Sequence, residues 1–140
     1  MTTWILVANR AGARIFDRKG RSLHLIREID HPAGRKADQD IEAGPQRTFD
    51  SHAQGHDPRS SPHEHAAESF AKDLAAELLL GRTKHGVERI VLVAEPHFLG
   101  LVRGKLDDTT LALVAATLPK DLAKADVEAI QEHVNGVVAV

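Results

Sequence analysis

The sequence has no cysteine, no tyrosine, one methionine and one tryptophan. Without thiols there can be no disulfide, zinc–thiolate site, iron–sulfur cluster or cysteine nucleophile. Neither charge sign dominates. Eighteen Lys and Arg against 20 Asp and Glu give a net charge of −2, so no overall basic field draws nucleic acid or an anionic membrane, although a local basic patch is allowed. No apolar run approaches the roughly 18 residues of a membrane span. The opening Met1-Thr2-Thr3 has no basic segment, and the apolar run at 4–8 is shorter than a signal-peptide core. These absences lead to the expectation of a soluble, cytoplasmic chain without a membrane partner. Its 140 residues suffice for one domain, 1–140, with a core of its own.

What the chain does contain is ordered by period. Trp4-Ile5-Leu6-Val7-Ala8 is continuously apolar and reads as a strand buried on both faces. Turn residues at 9–12 and 19–21 separate it from strands at 13–18 and 22–29. Connections this short predict a three-stranded antiparallel meander. A polar segment follows at about 31–61, with Gly34, Gly44, Gly55, Pro45 and Pro58, and only Ile41 and Phe49 as anchors. A loop of that length in a compact domain is usually functional or disordered.

The loop ends on a helix signal. Ser61-Pro62-His63-Glu64 places Ser at the N-cap, Pro at N1 and Glu at N3, as a capping box requires. Ala67, Phe70, Ala71, Leu74, Ala75 and Leu78 then recur at helical spacing, and Gly81 is expected to close the helix. A doubly buried strand at 90–94, a helix at 97–106, a strand at 111–118 and a helix capped by Asp126 complete the order β-β-β-α-β-α-β-α. The fold class expected is α/β, a ribonuclease H-like three-layer arrangement with a mixed five-stranded sheet. The first and fourth strands should be central.

Four of the nine histidines, His52, His56, His63 and His65, crowd into residues 50–65. His52 and His56 have i, i+4 spacing, but Gly55, Asp57 and Pro58 oppose the helix that would align two imidazoles, and His63 and His65 point to different faces of a helix start. No metal site and no cofactor are therefore expected. Asp17 and Glu95 are the acidic residues from which a metal-dependent nuclease pair could be assembled at strand ends. There is no Gly-x-Ser-x-Gly elbow, no Gly-x-Gly-x-x-Gly and no Gly-Lys-Ser/Thr ending. Basic residues remain: Arg35, Lys36, Arg47 and Arg59 in the loop, then Arg82, Lys84, Arg89, Arg103 and Lys105. Such side chains contact phosphates. Beyond Phe49 the loop has no Phe, Tyr or Trp on which an unpaired base could stack, so single-strand base binding is not favoured.

Several segments together carry a resemblance. Residues 4–16 (WILVANRAGARIF), Arg47-Thr48-Phe49-Asp50-Ser51, the helix at 64–80, and residues 93–103 (VAEPHFLGLVR) resemble, in that order, the bacterial host-attachment protein family, named for proteins said to be required for attachment to host cells. That family in turn resembles the middle domain of archaeal and eukaryotic class-1 release factors, where a long loop before the main helix carries Gly-Gly-Gln and acts on peptidyl-tRNA. The closest stretch here is His52-Ala53-Gln54, which keeps only the glutamine.

The resemblance, the placement of the loop and the local basic residues together lead to the expectation of a non-enzymatic interaction protein whose partner is the ribosome or tRNA. Its contacts would be Arg47, Gln54, Gly55, Arg59, Arg82, Lys84 and Arg103. Gln54 is the one candidate catalytic residue. Two alternatives stand beside this reading: a hydrolase of peptidyl-tRNA or nucleic acid, and a small homo-oligomeric structural protein.

Overall fold

A computed structural model describes residues 1–33 and 61–139. The meander forms as its turns dictate, from β1 (Thr2–Asn9), β2 (Gly12–Lys19) and β3 (Ser22–Asp30). Asn9 Oδ1 accepts the N–H groups of Ala11 (2.8 Å) and Gly12 (3.1 Å) and so shapes the first turn. Gly20 adopts φ 62° in the second, a conformation without steric cost only for glycine. Then come α1 (Pro62–Lys84), β4 (Val87–Val93), α2 (Pro96–Lys105), a one-turn α3 (Asp108–Leu111), β5 (Val114–Leu118) and α4 (Val127–Asn135).

The five strands form one mixed sheet in the order β3-β2-β1-β4-β5. β1 pairs antiparallel with β2 and parallel with β4, and β4 pairs parallel with β5. This is the α/β class expected, with β1 at the centre and β4 beside it, and it is compatible with the ribonuclease H-like arrangement. Period-2 alternation explains why residues 3–8 are all buried. Trp4, Leu6 and Ala8 face a core shared with Phe70, Leu74 and Leu78 of α1 and Phe98 and Val102 of α2. Ile5 and Val7 face a second core shared with Phe16, Val91, Ile130 and Val134. Helices α1 and α2 thus cover one face and α4 the other. Among the described residues no helix is long and apolar enough to cross a membrane.

Two expectations are corrected. Gly81 does not close α1, which runs on to Lys84 and ends where the His85 N–H donates to the Gly81 carbonyl (3.1 Å). The left-handed turn falls on Gly86 instead (φ 69°). Gly81 lies inside the helix because the Trp4 ring occupies the space a side chain would need. The strand expected at 111–118 begins only at Val114. Asp107 caps α3 ahead of it, accepting the Thr110 N–H at 3.2 Å, and this local bond overrides the extended pattern.

Candidate functional site at the carboxyl end of the sheet

β3 runs in the same direction as β1, because both are antiparallel to β2. The carboxyl ends of β1, β3, β4 and β5 therefore point one way. In open α/β sheets this end is where ligands bind. β3 ends here and α1 begins here, so the described residues that flank 34–60 lie at this same end.

Both attachment points are fixed. His31 donates its N–H to the Ala11 carbonyl (2.9 Å) and its Nδ1–H to the Arg10 carbonyl (2.7 Å). Its ring stacks on Phe70 of α1, with centroids 4.2 Å apart and planes 4° from parallel. Phe70 in turn packs near Phe98 of α2 (6.0 Å). At the other attachment point Ser61 Oγ accepts the Glu64 N–H at 3.0 Å. Glu64 does not complete the reciprocal half of a capping box. Its carboxylate instead lies 3.2 Å from His97 Nε2, the first turn of one helix reaching that of the next. Glu95 caps α2 by accepting the N–H groups of Phe98 (2.7 Å) and His97 (3.0 Å). Carboxylates thus face both positive helix ends.

Nearer α4, the same end carries a groove of about 490 Å³ lined by residues that include Asn9, Arg14, Glu28, Asp30 and Lys124. Arg14 shapes its floor. The guanidinium donates to the carbonyls of Leu122 (3.2 Å), Ala123 (2.7 Å) and Ala125 (2.7 Å) and lies over the Phe16 ring (5.5 Å). It fastens the β5–α4 connection to β2. Carboxylates and an ammonium on the rim suit a polar partner rather than an apolar one.

The residues expected from sequence fall in three places. Arg47, Gln54, Gly55 and Arg59, with His52 and His56, lie outside the described residues, and so does the His63 side chain. Arg82 is half-buried and already engaged. Its Nε donates to Thr110 Oγ1 (3.0 Å), and its Nη2 lies 3.6 Å from Asp107 Oδ2. The Thr110 hydroxyl, then the Thr110 N–H and Arg82, hold the Asp107 carboxyl below the usual carboxylate range against a smaller opposing effect of burial. Lys84 and Arg103 are exposed, on the last turns of α1 and α2. At 1.5 Å per residue, Lys84 is roughly 33 Å along α1 from Pro62. Lys84 is therefore not brought to the end where the loop attaches. Nor does the sheet bring Asp17 and Glu95 together. Asp17 is opposite Trp4, whereas Glu95 follows Val93, which pairs with Val7; the two are roughly 16 Å apart along the strands. Among the described residues no three of His, Asp or Glu gather as metal ligands would.

Sequence reasoning missed the Arg14 clamp, the His31 stack and the Glu64–His97 contact. The first had a signal. Arg14 and Arg18 flank Phe16 at i±2, so they share the strand face of a buried ring and must be partnered there.

The architecture matches solved structures over nearly its whole length. An archaeal protein superposes with a TM-score of 0.52 at 13% identity, and a crystal structure of an archaeal translation termination factor does so with a TM-score of 0.53 at 16% identity. Each match covers 96% of this chain, which spans only 33% and 38% of those longer chains, so the likeness is one of fold. No curated protein sequence matches. The family model described as "Protein required for attachment to host cells" matches residues 4–134, and the chain belongs to that family.

Proposed function

We propose that this member of the host-attachment family is a non-enzymatic interaction protein that binds RNA of the translation machinery, on the ribosome or as tRNA. The binding surface is the carboxyl end of its sheet together with the loop attached there. The observation that carries this reading is the double anchoring of the loop. His31 stacks on Phe70 and Ser61 caps α1, so the residues on either side of the segment holding Arg47, Gln54, Gly55 and Arg59 are both held at one end of the sheet. The fold shared with a translation termination factor supports the choice of partner. Binding rather than hydrolysis is favoured because His52 and Ala53 precede Gln54 where the resemblance would have paired glycines, and a side chain at those positions disfavours the backbone shapes open to glycine. Lys84 and Arg103, exposed at the far ends of their helices, would make outlying phosphate contacts.

Binding of labelled tRNA across a salt series tests the reading. Phosphate contacts release counterions, so affinity should fall as salt rises. Arg47→Ala with Arg59→Ala should weaken binding and flatten the slope by about 1.5. A salt-independent signal, or one that both substitutions leave unchanged, contradicts the assignment. Release of peptide from peptidyl-tRNA that Gln54→Ala abolishes would replace it with the hydrolase alternative.

A further inference from the structure

The opposite, amino end of the sheet carries a feature that the loop does not explain. Arg18 of β2, Thr3 of β1 and Arg89 of β4 lie side by side on the α4 face. Thr3 pairs with Arg89, and Trp4, the residue after Thr3, pairs with Asp17, the residue before Arg18. Arg18 is 6% exposed and Thr3 is 3% exposed. A buried cation normally has a counter-charge. Arg18 has neutral acceptors instead: the Ala139 carbonyl (3.0 Å), the Val138 carbonyl (2.8 Å) and Asn135 Oδ1 (2.7 Å). Arg89 reaches Thr3 Oγ1 at 3.4 Å and the Ala139 carbonyl at 3.3 Å, both long. Arg21 stands exposed nearby. Among the described residues none of these three guanidinium groups has a carboxylate partner. Burial, then Arg89 and Arg21, push the Arg18 guanidinium below its ordinary value, as an unneutralised cluster should. A groove of about 340 Å³ opens between Arg18, Thr3, Gly20 and Arg89. Its volume is several times the ~30 Å³ share of one water.

We propose that this groove binds a phosphate-class oxyanion, either as the free ion or as one phosphate of a polyanion backbone. Arg89 grips it through its remaining N–H groups, in the fork geometry that suits oxyanions. Arg18 supplies fixed positive charge from the groove wall, and the exposed Arg21, close enough to act on Arg18, adds to the local positive field. The site does not depend on the RNA reading of the opposite end, since a free oxyanion would fill it equally.

Thermal unfolding of the full chain tests the site, with inorganic phosphate titrated against chloride at constant ionic strength. A second arm uses a short oligoribonucleotide. The expected result is a saturable rise in Tm with phosphate, half-saturating at about tenfold higher concentration in Arg89→Gln. A rise with the oligoribonucleotide alone, lost in the same variant, assigns the site to a backbone phosphate. A chloride-matched rise of equal size, no response in either arm, or an unchanged response in Arg89→Gln overturns the proposal. If Arg89→Gln fails to fold by circular dichroism, Arg21→Gln decides. Its side chain is exposed, and a phosphate response as strong as that of the unaltered chain then counts against the site.

Discussion

Gly81 shows how one residue can reverse a general rule. Alanine in place of an interior helical glycine ordinarily stabilises by about 1 kcal/mol. Here a methyl group on Gly81 would fall 2.5 Å from Trp4 Cζ3 and 2.8 Å from Cε3. Trp4 is buried on the central strand β1 with its ring 5.7 Å from that of His85, so relieving the clash means displacing a large core side chain. Gly81→Ala should therefore destabilise by about 1–3 kcal/mol in urea unfolding and perturb Trp4 fluorescence. A gain in stability would mean that the helix and strand are not packed this closely. The same contact explains why Gly81 misleads as a stop signal: glycine is needed there for space, and the chain around it is helical.

At the scale of elements, the parts legible in the sequence are those fixed by local pattern. The continuous apolar runs of β1 and β4, the Asn9 and Gly20 turns, and the caps Ser61 and Asp126 all act within a few residues of themselves. Their effects could be read before the fold was known. The Glu64–His97 contact spans 33 residues, the Arg14 clamp 108 to 111, and the Arg18 anchor up to 121. No local pattern encodes such partners. Only the strand-face argument on Phe16 hinted that the two arginines would need them. α1 offers the direct test at this scale. Ser61→Ala removes the acceptor for the Glu64 N–H and should cost about 1 kcal/mol. The loss should appear as faster amide exchange in the first turn of α1, with its last turn, packed on Trp4, unaffected. Equal acceleration along the whole helix would show that the cap does not act locally.

For the molecule as a whole, the two ends of the sheet differ in chemistry. The carboxyl end gathers two capped helix starts, the His31 stack, the Arg14 clamp and both attachment points of the loop. The amino end gathers Arg18, Arg89 and Arg21 around the C-terminal segment. The central claim concerns the first of these ends, that the loop anchored there engages translation-machinery RNA. Sedimentation of the chain through a gradient carrying ribosomes and tRNA, at low salt, tests it most directly. The account predicts that the chain travels with the ribosomal or tRNA fractions, and that deleting residues 44–60 or raising the salt returns it to the top. A folded chain that stays at the top at low salt, or one that travels with those fractions equally well without residues 44–60, contradicts it.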